Sequence, residues 1–409
     1  MGDPGERAVS DERLNAYLRT YVKTTKLTDP KFRVIEATNK GDNYVSLVYR
    51  VTIEGTENRG EAKKIDLILK TTRTYSDEVL TNSSVTRMFQ REMFFYQEIL
   101  PIFERTMREH GEVLERFPAL CDAYDESGKE VLMLENLAPQ GFVMAKSKIM
   151  DYPHASLALR CLGEFHACSF ITRSADPTSF EKLRRMKEHV FLKETNTNEI
   201  SNAVTSSIRH IVVNVIKALA IEDKHYSERY QRFAENMREN MIDSVDGSAA
   251  EPYAVVNHGD SWTNNMLFKY DKDNNPCDLR FIDLQLCRYA SPVLDILYIL
   301  FCCCTQEMRS KYYDQLIHEY YETLSKCLER AGYDPNVLFP YEALAEHFTR
   351  FGKYAAGMAT YTLHIFTSDG VEIKNTYEKK MLEDRLQNDS RYRNMLIGTF
   401  KDLVDKNYI

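Results

Sequence analysis

Four things are scarce in this sequence, and each scarcity closes a route. No stretch approaches the roughly 18 uninterrupted apolar residues of a membrane span; the best run, residues 296–304, covers half of that. Positive charge is not in excess, since 53 Lys and Arg stand against 61 Asp and Glu for a net charge of −8. Phosphate binding by a nucleic-acid partner needs a concentrated basic face, so neither a nucleic acid nor a membrane is expected as a partner. Low-complexity tracts, runs of like charge and internal repeats are all lacking, which leaves no segment marked for disorder. The opening residues, MGDPGERAVSDERLNAYLRT, carry charge where a secretory signal would carry an apolar core.

Nine cysteines are present, yet the spacing that would give them a metal is not. Cys302-Cys303-Cys304 has no Cys-x-x-Cys step and continues an apolar helical run, so buried structural thiols are expected. Thiols stay reduced without secretion, which points to a reducing, cytoplasmic compartment. With 409 residues, 43% of them apolar, the chain can bury one large core or two medium ones.

The patterning changes along the chain. A short amphipathic helix is predicted over 10–24, entered through Ser10 or Asp11. Strand-like segments follow at 33–37, 44–53 and 65–71, the middle one placing Val45, Leu47, Tyr49, Val51 and Ile53 on one face. A helix is predicted over 84–103 and a further strand over 131–135. After Pro139 helical patterns dominate, at 154–175, 200–220, 225–243, 292–305, 307–331, 340–366 and 390–405. One β-rich interruption, 254–286, breaks them. The expected fold is α+β and two-lobed, with a helical extension at 1–29, a small β-rich lobe at 30–138 and a larger helical lobe at 139–409. Ligands favour the cleft between such lobes.

The β-rich interruption reads Val255-Val256-Asn257-His258-Gly259-Asp260-Ser261-Trp262-Thr263-Asn264-Asn265, followed at once by a second apolar strand. Phosphoryl transfer needs a carboxylate to orient and deprotonate a hydroxyl, and an oxygen ligand to hold Mg²⁺ against the phosphates. Asp260 and Asn265, four residues apart in between, have the spacing of a kinase catalytic loop. A third strand candidate, 279–285, carries Asp283 where a kinase places its second metal-chelating carboxylate. Asp295 lies twelve residues on, inside an apolar helix, where a carboxylate is costly unless paired. Bracing the backbone of the loop is a use for it, with His258 as a second support. Each residue alone has a plainer reading: Asp-x₄-Asn arises by chance, a lone His is more often a core residue, and Asp at a strand end is often a turn. The ordered set makes chance the weaker account.

The first lobe supplies matching parts. Lys70 ends the apolar strand Ile65-Asp66-Leu67-Ile68-Leu69-Lys70, as does the kinase lysine that touches the α- and β-phosphates of ATP. Its expected partner is Glu92, flanked by Met93, Phe94, Phe95 and Tyr96, with Glu98 as rival. Gly41, Asp42, Asn43, Tyr44 and Ser46 precede or open the alternating strand; they form either a phosphate-covering loop or a turn with no ligand. Glu135 and Leu137 sit where the lobes join, and their backbone meets adenine unless the segment is an ordinary buried strand. Asp283 is followed by Leu-Gln, and only eight residues separate it from Pro292. A protein kinase needs a longer activation segment than that to seat a peptide, so no protein substrate is expected and the acceptor is small.

These residues resemble the ecdysteroid kinase-like family, which is related to choline and aminoglycoside kinases, from about residue 30 onward. The marks are Gly41-Asp42-Asn43-Tyr44 with Ser46, Lys70, Glu92 with Phe95-Tyr96, and Glu164-Phe165-His166-Ala167. His258-Gly259-Asp260-x-Trp262 with Asn264-Asn265, and Ile282-Asp283-x-Gln285, complete them. The resemblance implies a protein-kinase-like fold and transfer of phosphate from ATP to a hydroxyl of an ecdysteroid or related small metabolite. Carried over residue by residue, it implies Asp260 as catalytic base, Asn265 and Asp283 as Mg²⁺ ligands, and Lys70 with Glu92 as phosphate clamp. Asn136 departs from it, standing where an acid is expected after Glu135. Two other readings stay open: a choline- or aminoglycoside-type acceptor, and a kinase-like protein that binds a ligand without transferring phosphate.

Overall fold

The structure is a computed structural model that describes residues 12–37, 46–57, 60–72, 84–126, 129–186, 188–192, 200–368 and 378–409. Ser10, Asp11, Gly41, Asp42, Asn43, Tyr44 and Val45 lie outside the described residues. Two compact units are present, one within Met1–Gln97 and Pro118–Gly141, the other within Glu98–Phe117 and Phe142–Ile409.

The smaller unit is built on a five-stranded antiparallel sheet. Its strands are β1 (Thr28–Glu36), β2 (Ser46–Thr56), β3 (Ala62–Thr72), β4 (Leu120–Tyr124) and β5 (Val131–Glu135), in the order β1-β2-β3-β5-β4. Helix α1 (Glu12–Thr25) covers one face: Leu14, Leu18, Tyr21 and Val22 pack into one core with Val51, Ile53, Leu67, Leu69, Val131 and Met133. Successive strand residues face opposite ways. Leu67 and Leu69 therefore point at α1, and Ile68 and Lys70 at the other face. Strand β4 is absent from the sequence pattern because it is a short edge strand, half-buried throughout and bulged between Leu120 and Asp122.

The helix predicted over 84–103 is interrupted. Helix α2 (Ser84–Phe94) opens into a π turn at Phe95–Ile99 before α3 (Leu100–Glu109) continues. Pro101 accounts for the change, since it offers no N–H to the turn before it and its ring crowds that turn's carbonyl.

The larger unit is helical around a few short strands. Its central helix α4 (Tyr152–Ala175) is buried on nearly every side. Beyond it come α5 (Pro177–Arg184), α6 (Ile200–Glu222), α7 (Lys224–Glu235) and α8 (Met237–Ser244). Strand β6 (Val143–Met144) extends the hairpin of β8 (Met266–Tyr270) and β9 (Pro276–Phe281), while β7 (Val255–Asn257) pairs with β10 (Arg288–Ala290). Helices α9 (Val293–Cys302), α10 (Gln306–Arg330), α11 (Pro335–Leu338), α12 (Tyr341–Phe351), α13 (Lys353–Phe366), α14 (Lys379–Asn388) and α15 (Ser390–Asp405) close the chain. Cys302, Cys303 and Cys304 are fully buried free thiols, as their apolar surroundings imply. The helix predicted over 340–366 is two, divided at Gly352, where a Cβ would lie 2.5 Å from the Tyr408 ring. No described helix is long and apolar enough to cross a membrane.

Because α1 supplies four side chains to the sheet's core, truncating one of them should be felt by the whole unit. Leu18→Ala, at a fully buried position, should lower unfolding free energy by about 2–5 kcal/mol in urea titration. A loss under about 0.5 kcal/mol, the scale of a surface change, would make α1 an appendage.

Candidate active site

The loop 258–265 joins β7 to β8, and a carboxylate on α9 holds its backbone. Asp295 Oδ2 accepts the His258 N–H at 2.6 Å and Oδ1 the Gly259 N–H at 2.9 Å. Its carbonyl accepts the Ser261 hydroxyl at 3.2 Å. His166 on α4 donates from Nε2 to Oδ2 at 3.2 Å and accepts the Tyr320 hydroxyl at Nδ1, 2.9 Å away. Burial opposes the Asp295 charge, but the His166 hydrogen bond and the amides outweigh it and hold the carboxyl below its ordinary value. Gly259 takes φ +81°, and a Cβ there would meet the Leu286 carbonyl at 2.0 Å. Only glycine fits.

His258 fastens the loop to the next functional segment. Its Nε2–H donates to the Ile282 carbonyl at 3.0 Å, which leaves Nδ1 to accept the Asp260 N–H at 3.3 Å. Burial pushes its pKa below the usual 6.5 despite Asp295 and Asp283, which favours this neutral ring. The Ile282 N–H reaches the Asn265 carbonyl at 3.0 Å. Asp283 itself does not end a strand: β9 stops at Phe281, and Asp283 sits in the left-handed region, φ 65° and ψ 61°, before a 3₁₀ turn at Leu284–Leu286. Its short polar side chain tolerates that conformation.

Asp260 is gripped at both oxygens. Tyr298 donates its hydroxyl to Oδ1 at 2.9 Å, and Asn265 Nδ2 donates to Oδ2 at 2.8 Å. Burial, then the facing charge of Asp283, push the carboxyl up to about 7, against the pull of those two bonds. Turning the Asn265 amide nitrogen towards Asp260 leaves its oxygen as the ligand-bearing end. Asn265 and Asp283 could hold a hard divalent cation, which would offset the charge that Asp283 sets against Asp260. Among the described residues no group of three or more His, Cys, Asp or Glu is arranged to hold a metal. A cation here would therefore need phosphate or water oxygens to complete its shell.

In the smaller unit, Lys70 Nζ and Glu92 Oε2 lie 2.5 Å apart and are buried, while the rival Glu98 pairs with Lys182 at the surface. The Ser46 hydroxyl is buried with no hydrogen-bond partner among the described residues. The Glu135 N–H is committed to the Ala119 carbonyl and the Asn136 N–H to Asp66. The departure at Asn136 has a local use, since its side chain caps the turn at Ala138.

Sequence reasoning passed over Tyr298, although it stands three residues after Asp295, one helical turn along α9. It also gave Glu164 no role; Arg116 binds Glu164 at 2.5 Å and Asp278 at 2.7 Å, tying α4 to β9. A cavity of about 430 Å³ lined by Arg184, Phe191, Ile242 and Arg288 includes none of Asp260, Asn265 or Asp283 in its walls.

A small sheet with a buried Lys–Glu pair, and a helical unit with a braced His-Gly-Asp loop, give this chain a kinase-like α+β fold. Residues 40–333 match the ecdysteroid kinase-like family, and the chain belongs to it. That membership supports a small-molecule phosphotransferase. Among curated proteins no significant match is found. Of solved structures, a variant of aminoglycoside 2′-phosphotransferase IIIa in its GDP complex is similar with a TM-score of 0.41 and 10% identity, over 96% of this chain and 98% of that one. The wild-type GDP complex gives 0.39 and 9%, over 97% and 100%. Aminoglycoside 3′-phosphotransferase of type VIII gives 0.29 and 13%, over 95% and 99%.

If Asp295 braces the loop, Asp295→Asn should cost at least about 2 kcal/mol in urea titration, because one amide N–H loses its acceptor and meets a donor. The carboxyl is below its unfolded value of 3.8 in the folded state, so its contribution is complete above that pH and is lost as pH falls further. The gap between wild type and variant should therefore narrow in acid; a gap that is constant with pH would contradict the charge's role.

Proposed function

We propose that this protein is an ATP-dependent phosphotransferase that phosphorylates a hydroxyl of a small molecule, an ecdysteroid or a related steroid or secondary metabolite. The observation that carries the reading is the Asp260 carboxylate. It is oriented at both oxygens, by Tyr298 and Asn265, and set against a second acid, Asp283. A general base must be held in place to take the proton of a hydroxyl. Each oxygen of Asp260 keeps a further lone pair beyond its present hydrogen bond. The acceptor hydroxyl gives its proton to Asp260, its oxygen bonds to the γ-phosphorus, and the bond from that phosphorus to the ADP oxygen breaks.

Asn265 and Asp283 would hold Mg²⁺, which when bound neutralises phosphate charge; a cation there also relieves the repulsion felt by Asp260. Lys70, held by Glu92 at 2.5 Å, is the group for the α- and β-phosphates. The buried Ser46 hydroxyl and the Leu137 N–H are suited to a phosphate oxygen and to adenine respectively. Gly41, Asp42, Asn43 and Tyr44 complete the proposed phosphate loop, and Glu135 belongs to the base-binding segment through its carbonyl alone. The short span from Asp283 to Pro292 favours a small acceptor, since its residues 288–290 are buried in β10 and offer no peptide platform. A cytoplasmic setting, with reduced thiols and cellular ATP, suits this chemistry.

Incubation of the protein with ATP, Mg²⁺ and an ecdysteroid panel should yield a product one phosphate heavier by mass spectrometry, and chelation of the metal should abolish it. Asp260→Asn should lower kcat by at least about 10²-fold. Undiminished turnover in that variant would rule Asp260 out as the base.

A further inference from the structure

Beside the Asp260 carboxylate stands an aromatic wall that the transfer chemistry leaves unexplained. Trp262, two residues on, is the single tryptophan of the chain. Its backbone N–H donates to the Asp260 carbonyl at 2.9 Å within the loop. The indole lies flat on Phe366 at the end of α13, with centroids 4.3 Å apart and planes at 6°. Phe366 lies 6.0 Å from the Tyr298 ring, and Tyr298 is the donor to Asp260 Oδ1. Phe366 and Tyr298 are buried, whereas Trp262 is only half-buried. The wall thus runs from the reacting carboxylate to a part-exposed indole whose one face is already taken by Phe366.

Packing accounts for the buried Phe366 and Tyr298; the indole, stacked on one face, leaves part of its surface uncovered. Concave ligand sites, by contrast, are lined by aromatics with a few placed polar groups. Charge narrows the ligand further. A cation could rest on the indole, but among the described residues the charges bordering the wall's Phe366 end are Lys148 and an Arg385 paired with Asp389. Lys148 Nζ donates to the Ser368 carbonyl at 2.7 Å. Arg385 donates to the hydroxyls of Thr367 and Ser368, with Asp389 as its ion-pair partner. Such a border disfavours a polycation and tolerates a neutral molecule.

We infer that Trp262 is the acceptor platform: the fused rings of a neutral, apolar alcohol lie on the indole while one hydroxyl reaches Asp260. The inference rests on the phosphotransferase reading of Asp260 and names the part of the acceptor that selects it. Tyr298, shared by the wall and the carboxylate, is a positioning residue rather than a contact to the rings.

A single tryptophan makes the test direct. Emission of the full chain is titrated with 20-hydroxyecdysone, kanamycin and choline, and phosphorylation of each by Mg²⁺-ATP is measured for wild type, Trp262→Ala and Trp262→Phe. The steroid should change the emission saturably, and the two cations should not. Trp262→Ala should raise the acceptor KM about tenfold with the ATP KM within about twofold, and Trp262→Phe should recover most of the loss. Turnover of the steroid with unchanged emission and an unchanged KM in Trp262→Ala would overturn the platform. Preferred phosphorylation of kanamycin or choline would overturn it too while leaving the phosphotransferase intact. Should nothing be phosphorylated, the phosphotransferase reading fails, and the wild-type titration decides the platform alone: a saturable steroid response upholds it and a flat one removes it. If Trp262→Ala does not fold, Trp262→Phe and that titration carry the test.

Discussion

Asp295 is a charge buried to 1% exposure inside an apolar helix, and the geometry of the loop before it follows from how that charge is satisfied. Leaving water costs a carboxylate several kcal/mol unless strong donors replace the solvent. Here the donors are two consecutive backbone amides and an imidazole. Two adjacent N–H groups can converge on one carboxylate only if the chain turns sharply, and Gly259 at φ +81° makes that turn against the Leu286 carbonyl. The loop's conformation and the buried charge therefore stabilise each other. Asp260 is the next residue along the loop so fixed.

The same constraint reaches outward by hydrogen bonds of defined direction. Tyr320 pairs with His166, His166 donates to Asp295, and the amides of the loop donate to the same carboxylate, while His258 bridges to Ile282. Asp260 and Asp283 thus come from opposite ends of one rigid assembly and repel one another in it. A site with charge set in place before any substrate arrives needs little reorganisation during reaction. Lys70 and Glu92 show the same principle in the smaller unit, a buried pair in which each charge offsets the other.

Much of this was legible from residues alone, and what was not has particular causes. Apolar periodicity located β2, β3 and β5 and the long helices of the larger unit, because each buries one regular face. It missed β4, an irregular edge strand, and α14, which buries only Leu382 and Arg385 and so carries no stripe. Breaks at Pro101 and Gly352 were hidden because the apolar pattern continues across them. Among the candidate residues, Lys70 and Glu92 of the smaller unit and Asp260, Asn265, Asp283 and Asp295 of the larger stood out as charged or polar residues in apolar company. Tyr298 and Phe366 did not, since in sequence an aromatic that touches a carboxylate looks like any core aromatic. Asp283 was placed at a strand end because its left-handed backbone leaves no mark on its neighbours.

Tyr298 ties the two properties that a transferase must keep together. Its hydroxyl helps to set the direction of the Asp260 carboxylate, and its ring continues into Phe366 and Trp262. If Asp260 is the base and Trp262 the acceptor's platform, as proposed, selection of an acceptor and orientation of the base share one packed element. On the proposed reading, a ligand that presses on the indole presses, through Phe366, on the residue that aims the base, because close-packed rings have low compressibility and transmit strain. An acceptor of the wrong shape would then cost catalysis as well as affinity. That coupling is available because α9 carries Asp295 and Tyr298 one turn apart: a single helix holds the loop's backbone with one residue and the base's side chain with the other.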